Sequence, residues 1–211
     1  MSGPLSGYRI IDVTSVIAGP FATMMLADQG ADVIKIEAPD RWDHTRHAGY
    51  GNVGLTATFL NNNRNKRSLT LDLKSPEGKE VLLRLAETAD VFIQNFRPGV
   101  VDRLGIGEPV LRELNPRLVY VSMSGWGERG PFAHKPVYDP IIQALSGLTT
   151  VQAGSDEERP RLIRTILPDK LTAITAAQAV AAALAGRERT GEGQHVKVSM
   201  LDSVIAFLWS S

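Results

Sequence analysis

Cysteine is missing altogether from the 211 residues. That excludes disulfides, thiolate metal sites and a cysteine nucleophile at once, and it fits a reducing compartment. A surplus of either charge is missing too, because Lys+Arg and Asp+Glu both number 23. Nothing in that balance points to nucleic acid as a partner. No apolar stretch approaches the roughly 20 residues that span a bilayer, and even Leu171–Leu184 is interrupted by Thr172, Thr175 and Gln178. The start, MSGPLSGYRIIDV, lacks the basic opening and long apolar core of a secretory signal. A soluble, cytoplasmic protein with no membrane contact is the expectation. Two enzyme signatures are absent as well. The first strand-to-helix turn, SVIAGP, carries no G-x-G-x-x-G, and no G-x-S-x-G elbow occurs, so neither NAD binding nor serine hydrolysis is indicated. His44 and His47 have helical chelate spacing but sit in a loop with Arg46 between them, so no metal site is expected.

What is present is ordinary globular material, 43% hydrophobic and 22% charged, enough for one large domain or two small ones. Tyr8–Val13 reads as a strand, Ala22–Ala27 after Gly19-Pro20 as a helix, and Ala31–Ile36 as a second strand. That order predicts an α/β fold, a Rossmann-like open, mostly parallel sheet flanked by helices. Residues 40–54 read as a polar loop and Leu55–Leu60 as a helical turn. Strand Ser68–Leu73 follows, and Ser75-Pro76 opens a helix over Lys79–Ala86. Further strands are predicted at Val91–Gln94, Leu118–Met123 and His195–Ser199, with helices at Val100–Leu104, Pro109–Leu114, Asp139–Leu145 and Leu201–Leu208. Arg187–Gly193 reads as a charged loop. The last apolar segment stops at Ser210-Ser211 without a C-cap signal, which reads as a truncation.

The chain is arranged around residues 159–186. A basic, β-branched run, Arg161–Leu167, reads as a strand that turns at Pro168-Asp169 into an alanine-rich helix. Asp169 therefore stands at a helix start, where an Asp ordinarily caps free backbone N–H groups. The same position keeps a carboxylate ionised beside a positive helix end, and an ionised carboxylate can attack an activated acyl carbon. In an open α/β sheet, ligands sit at the carboxyl ends of the strands. Val16–Gly19, Asn61–Arg67, Asn95–Arg97 with Arg103, Ser124–Gly130 and Asp169 are all expected there. Arg64, Lys66, Arg67, Arg97 and Arg103 can neutralise phosphates and Phe96 can stack on a flat ring. For Arg64–Arg67 a solvated basic face is the simpler explanation.

One ordered set of motifs goes further. LADQGADVIKIEAP at 26–39, NRNKRSLTLDLK at 63–74, ADVFIQNFRPG at 89–99, NPRLVYVSMSGWGERGP at 115–131 and TGEGQHVKVSMLD at 190–202 together resemble the class III CoA-transferases, over essentially the whole chain. The resemblance implies a CoA-transferase, with coenzyme A as substrate and no resident cofactor. It makes Asp169 the nucleophile that forms a mixed anhydride and then an aspartyl-CoA thioester. It assigns coenzyme A contacts to Ile17, Ala18, Leu71, Asp72, Leu73, Lys74, Asn95, Phe96, Arg97, Arg103, Lys135, Tyr138 and Asp139. Two departures stand out. Ala38 replaces an Arg that contacts phosphate in formyl-CoA transferase-like sequences, and Ile17 replaces a Gln near their reacting acyl group, which argues against oxalate or formate as substrate. The family also holds acyl-CoA racemases, whose His–Asp pair is here Tyr138-Asp139, so a racemase is the alternative, with a silent CoA-binding subunit as the non-enzyme one. The resemblance divides the chain into a CoA-binding domain, 1–190, and a strand with the start of a linker helix, 191–211, leading to a missing C-terminal part. It implies an interlocked homodimer, or a complementary C-terminal chain.

Overall fold

The structure, a computed structural model, describes residues 3–49, 51–52 and 55–209. Part of the loop predicted at 40–54 and the chain end at 210–211 lie outside the described residues. The first half of the chain runs β1 (Arg9–Asp12), α1 (Ala18–Asp28), β2 (Asp32–Glu37), the short hairpin β3 (Gly51–Asn52) and β4 (Leu55–Thr56), α2 (Ala57–Asn63), β5 (Lys66–Thr70), α3 (Pro76–Glu87) and β6 (Val91–Gln94). It continues with α4 (Val100–Leu104), α5 (Glu108–Leu114), β7 (Val119–Ser124), α6 (Asp139–Leu145), α7 (Leu148–Ala153), α8 (Leu167–Thr190), β8 (His195–Ser199) and α9 (Met200–Leu208). Six strands form one sheet in the order β5-β2-β1-β6-β7-β8, and every neighbouring pair is parallel. The expected open α/β sheet is present, with its winding reversed between β1 and β6, the place where such sheets leave a crevice.

Alternation along the strands builds two cores. Ile10, Val91, Ile93, Val119 and Val121 face one side and pack against α1 and α8 through Ala22, Leu26, Ala173, Ala176, Val180 and Leu184. Ile11, Phe92 and Tyr120, one residue out of step, face the other side and meet Leu82, Ala86, Val101 and Leu111. A parallel sheet covered on both faces requires strands apolar throughout, and β6 is buried along its whole length. Alanine at 173, 176 and 177 lets α8 lie close against the sheet and α1. The predicted start of α3 holds, since Ser75 Oγ accepts the Gly78 N–H at 2.9 Å. Ser75→Ala should cost about 1 kcal/mol, lowering the melting temperature by roughly 2–4 °C in a thermal scan.

Several boundaries differ from the sequence-based expectation, each for a tertiary reason. Helix α1 starts at Ala18, not Ala22, because Pro20 falls in the first turn, where no backbone N–H is needed. Strand β5 covers 66–70 rather than 68–73, and Leu71 and Leu73 continue the apolar alternation from a turn that packs on the second core. Residues 161–166 form no strand. Their polar groups go elsewhere: Arg161 N–H donates to the Thr149 carbonyl at 3.0 Å and Ile163 N–H to Gln143 Oε1 at 2.9 Å. The loop expected from 187 is instead the last turn of α8, which ends at Gly191 with φ 79°. Arg187 is drawn inward there by Asp90, 2.9 Å away. Helix α7, bracketed by Gly147 and Gly154 in left-handed conformations, has no counterpart among the predicted elements.

Candidate active site

A cavity of about 290 Å³ opens at the carboxyl ends of β1, β6 and β7, beside the reversal of the sheet. The turn after β1 supplies Ser15–Ala18, the turn after β6 supplies Asn95–Pro98, and the loop after β7 supplies Trp126 and Lys135–Tyr138. Asp139 and Asp169 reach in from the first turns of α6 and α8, and Met123, Thr172 and Met200 complete the wall. Of the predicted residues, Ile17, Ala18, Asn95, Phe96, Arg97, Lys135, Tyr138, Asp139 and Asp169 are therefore brought together. Leu71–Lys74 and Arg103 are not in the wall. Leu71 and Leu73 instead pack, with Leu104 and with Phe96 of the wall, against the second core cluster. Thr172 and Met200 were missed: Thr172 follows Asp169 by one turn of α8, a spacing that could have found it, whereas Met200 opens α9, which only the fold brings to this edge.

Asp169 does not cap its helix. The N-cap is Ile166, with no side-chain bond, and Asp169 is the third residue of α8. The cap is supplied across the cavity. Asp139 Oδ2 accepts the Asp169 backbone N–H at 3.2 Å, and its other oxygen accepts Gln143 Nε2 at 2.6 Å. This frees the Asp169 carboxylate to face the cavity. Helix α1 also begins without a side-chain cap, and its first residue, Ala18, shares the cavity wall with Asp169, its backbone N–H favouring the ionised carboxylate. Contrary to the expectation from the sequence, the helix ends do not hold the carboxyl low. Burial, and then the neighbouring charge of Asp139, outweigh the Ala18 N–H and push Asp169 up to about 6. Burial raises Asp139 as well, against the pull of Gln143 and the Asp169 N–H.

The cavity thus has two carboxylates inside and cations at its exposed rim, Arg97 and Lys135. Lys135 also contributes its carbonyl, which accepts Trp126 Nε1–H at 3.0 Å. Phe96 is half-buried and Tyr138 is 68% exposed. Asn95 is turned inward as a clamp: its amide accepts from Ser15 N–H at 3.0 Å and donates to the Ser15 carbonyl at 2.8 Å. At neutral pH a carboxylate with these surroundings is mostly ionised yet poorly solvated, which suits a nucleophile or a base.

The basic run at 64–67 is a correction. It enters β5 at the amino end, where Lys66 lies opposite Val33, so it approaches the sheet from the edge away from the cavity. Arg64 pairs with Asp28 and Arg67 makes two bonds to Asp32, at 2.8 and 2.6 Å. Lys66 is buried against Asp12 at 3.0 Å. All three cations are paired with carboxylates of the chain rather than free for phosphate, Lys66 in the interior and Arg64 and Arg67 on the solvated surface.

The chain matches the family model of CoA-transferase family III over residues 5–211. It is 44% identical over 208 residues to an acetyl-CoA:oxalate CoA-transferase of Acetobacter aceti, covering 98% of this chain and 53% of that protein. It is 42% identical over 212 residues to a succinate–glutarate CoA-transferase of Agrobacterium fabrum, covering 97% and 53%. The crystal structure of a CAIB/BAIF family protein from Brucella suis superposes with a TM-score of 0.92 at 36% identity, covering 99% of this chain and 56% of that one. The chain spans about half the length of the curated relatives it matches.

Proposed function

The chain belongs to CoA-transferase family III, and from that premise we propose that it carries the nucleophile side of a CoA-transferase site, moving coenzyme A between an acyl-CoA and a carboxylic acid. The observation that carries this is Asp169, a half-buried carboxylate with a raised pKa, set beside the start of α1 in a cavity rimmed by Arg97 and Lys135. The Asp169 oxygen attacks the thioester carbon, the C–S bond breaks and coenzyme A leaves as thiolate, giving an aspartyl mixed anhydride. The thiolate then attacks the aspartyl carbonyl, releasing the first acid and leaving an aspartyl-CoA thioester. The acceptor carboxylate attacks that thioester, expelling the thiolate and forming a second mixed anhydride; the thiolate then attacks the acceptor's carbonyl, giving the new acyl-CoA and regenerating the Asp169 carboxylate. Arg97, Arg103 and Lys74 are assigned to the phosphates, Phe96 to the adenine side, Leu71–Leu73 to the strand-end contact, and Lys135–Asp139 to the pantetheine. The apolar wall of Ile17, Ala18, Met123 and Met200 supports acids that carry methylenes, such as small dicarboxylates. A second copy of the chain or a complementary chain is assigned to complete the site. Among the described residues no histidine lines the cavity, which weighs against the imidazole-assisted proton abstraction of a racemase.

The test is covalent capture. Purified protein is incubated with a panel of acyl-CoA thioesters, quenched with hydroxylamine and digested, with coenzyme A binding measured alongside. The expected result is a hydroxamate on the peptide that carries Asp169. An unmodified peptide in a protein that binds coenzyme A would sink the mechanism.

A further inference from the structure

The turn that presents Ala18 to Asp169 contains a backbone conformation that needs support. Val16 has φ 72°, the left-handed region that a β-branched residue enters only when its surroundings hold it there. Asn95 grips Ser15 at both ends, and the remaining support comes from residues that touch neither the cavity nor Asp169. Asp43 Oδ1 accepts the Val16 N–H at 3.2 Å, and it also accepts from Thr45 N–H at 3.0 Å and Thr45 Oγ1–H at 2.7 Å. Asp43 Oδ2 accepts from Lys35 Nζ at 3.0 Å, and that same ammonium donates to the Thr14 carbonyl at 2.9 Å. One ion pair therefore holds the turn on either side of Ser15. Its side chains are 2% and 1% exposed, so solvent does not weaken it. It is itself anchored, because Asp43 N–H donates to Glu37 Oε1 at 2.9 Å and Arg46 pairs with Glu37.

We infer that the Lys35–Asp43 pair is a positioning device for the site, clamping Val16 in its left-handed conformation so that the start of α1 at Ala18 is held in the cavity wall beside Asp169. This rests on the proposed role of Asp169 for its meaning in catalysis, but not for its test. A buried ion pair that served the fold alone would stabilise the chain without reporting on Asp169. A positioning pair must change how Asp169 holds its proton, because the Ala18 N–H is the contact that favours the ionised form. Sharing the cavity with Asp169 are Asp139 at the start of α6, Tyr138 and Lys135 in the loop before it and Arg97 after β6, and none of them takes part in the hydrogen bonds that hold Lys35 and Asp43.

The experiment is a carbon-13 NMR titration of the Asp169 carboxyl in the purified protein, its Asp43→Asn and Lys35→Met variants, and Val16→Gly with and without Asp43→Asn. Loss of the clamp should raise the Asp169 midpoint by about half a pH unit, roughly a threefold change in the protonated-to-ionised ratio. Val16→Gly should bring the midpoint of Asp43→Asn back, since glycine takes a positive φ without support. An unchanged midpoint in folded Asp43→Asn, or a shift that Val16→Gly does not reverse, overturns the inference. If Asp43→Asn unfolds with Val16 present, its folding in the Val16→Gly background supports the clamp. Failure to fold in both backgrounds overturns it, because the pair would then serve the fold at large. Absence of acyl capture with the expected titrations would sink the proposed reaction and leave the positioning intact.

Discussion

Asp169→Asn should abolish acyl capture and turnover, by on the order of 10⁴-fold or more as for other lost nucleophiles, while making the protein harder to unfold at pH 8. The two effects share one cause. Burial and Asp139 hold the folded-state pKa near 6 against a reference of 3.8. Between those values the folded chain keeps a proton that the unfolded chain has released, so stability falls as pH rises through that window. Above about pH 6 the ionised group costs the native state at most about 3 kcal/mol, and below about pH 4 it costs nothing. An amide has no charge to desolvate. Thermal scans should therefore show Asp169→Asn melting higher than the native protein at pH 8, by several degrees, with the gain gone below pH 4. A variant that melts lower at pH 8 would show the carboxylate to be better compensated than its surroundings indicate. Asp139→Asn should act in the opposite sense on Asp169, removing the neighbouring charge and lowering its midpoint.

Lys66→Met should lower stability by about 3–5 kcal/mol, a fall of roughly 10 °C or more, because it strands a carboxylate in the core. Asp12 is fully buried. Burial alone would raise its pKa, but the ammoniums of Lys66 and Lys35 and the hydroxyls of Thr14 and Thr23 overcome that and hold it well below the usual carboxylate range. Its stabilising contribution is present above about pH 4 and is lost as pH falls further. Lys66 Nζ also donates to the Pro20 carbonyl at 2.9 Å and to Asn63 Oδ1 at 2.8 Å, tying the start of β5 to α1. Adding Asp12→Asn to Lys66→Met should recover part of the loss, which a double-mutant cycle in denaturant would measure. The neighbouring Arg67→Met should cost under about 1 kcal/mol, since Arg67 and Asp32 are 60% and 37% exposed. Equal costs at 66 and 67 would contradict the burial difference.

That pair of residues shows where local sequence stops being informative. Lys66 and Arg67 are adjacent cations in one polar run, and both were candidates for phosphate contact. Alternation in an edge strand sends one beneath α1 and the other to the surface, and neither reaches the cavity. The Asp169 position was legible as a helix start facing the ligand edge, because Pro168-Asp169 before an alanine-rich run is a local signal. Its capping was not, because Asp139, thirty residues earlier in the chain, takes that role.

By itself the sequence determined the strands and helices whose signals are short-ranged. Val91–Gln94, Val100–Leu104, Asp139–Leu145 and His195–Ser199 all lie where periodicity and turn residues put them. It also determined, through ordered motifs, which family the chain belongs to. The tertiary structure decided which charges are buried, which carboxylate caps α8, and how the turn at Val16 is held. Those outcomes depend on desolvation and on contacts between distant segments. A linear pattern of residue types records neither until the sheet has brought Asp12 to Lys66, Lys35 to Asp43, and Asp139 to Asp169.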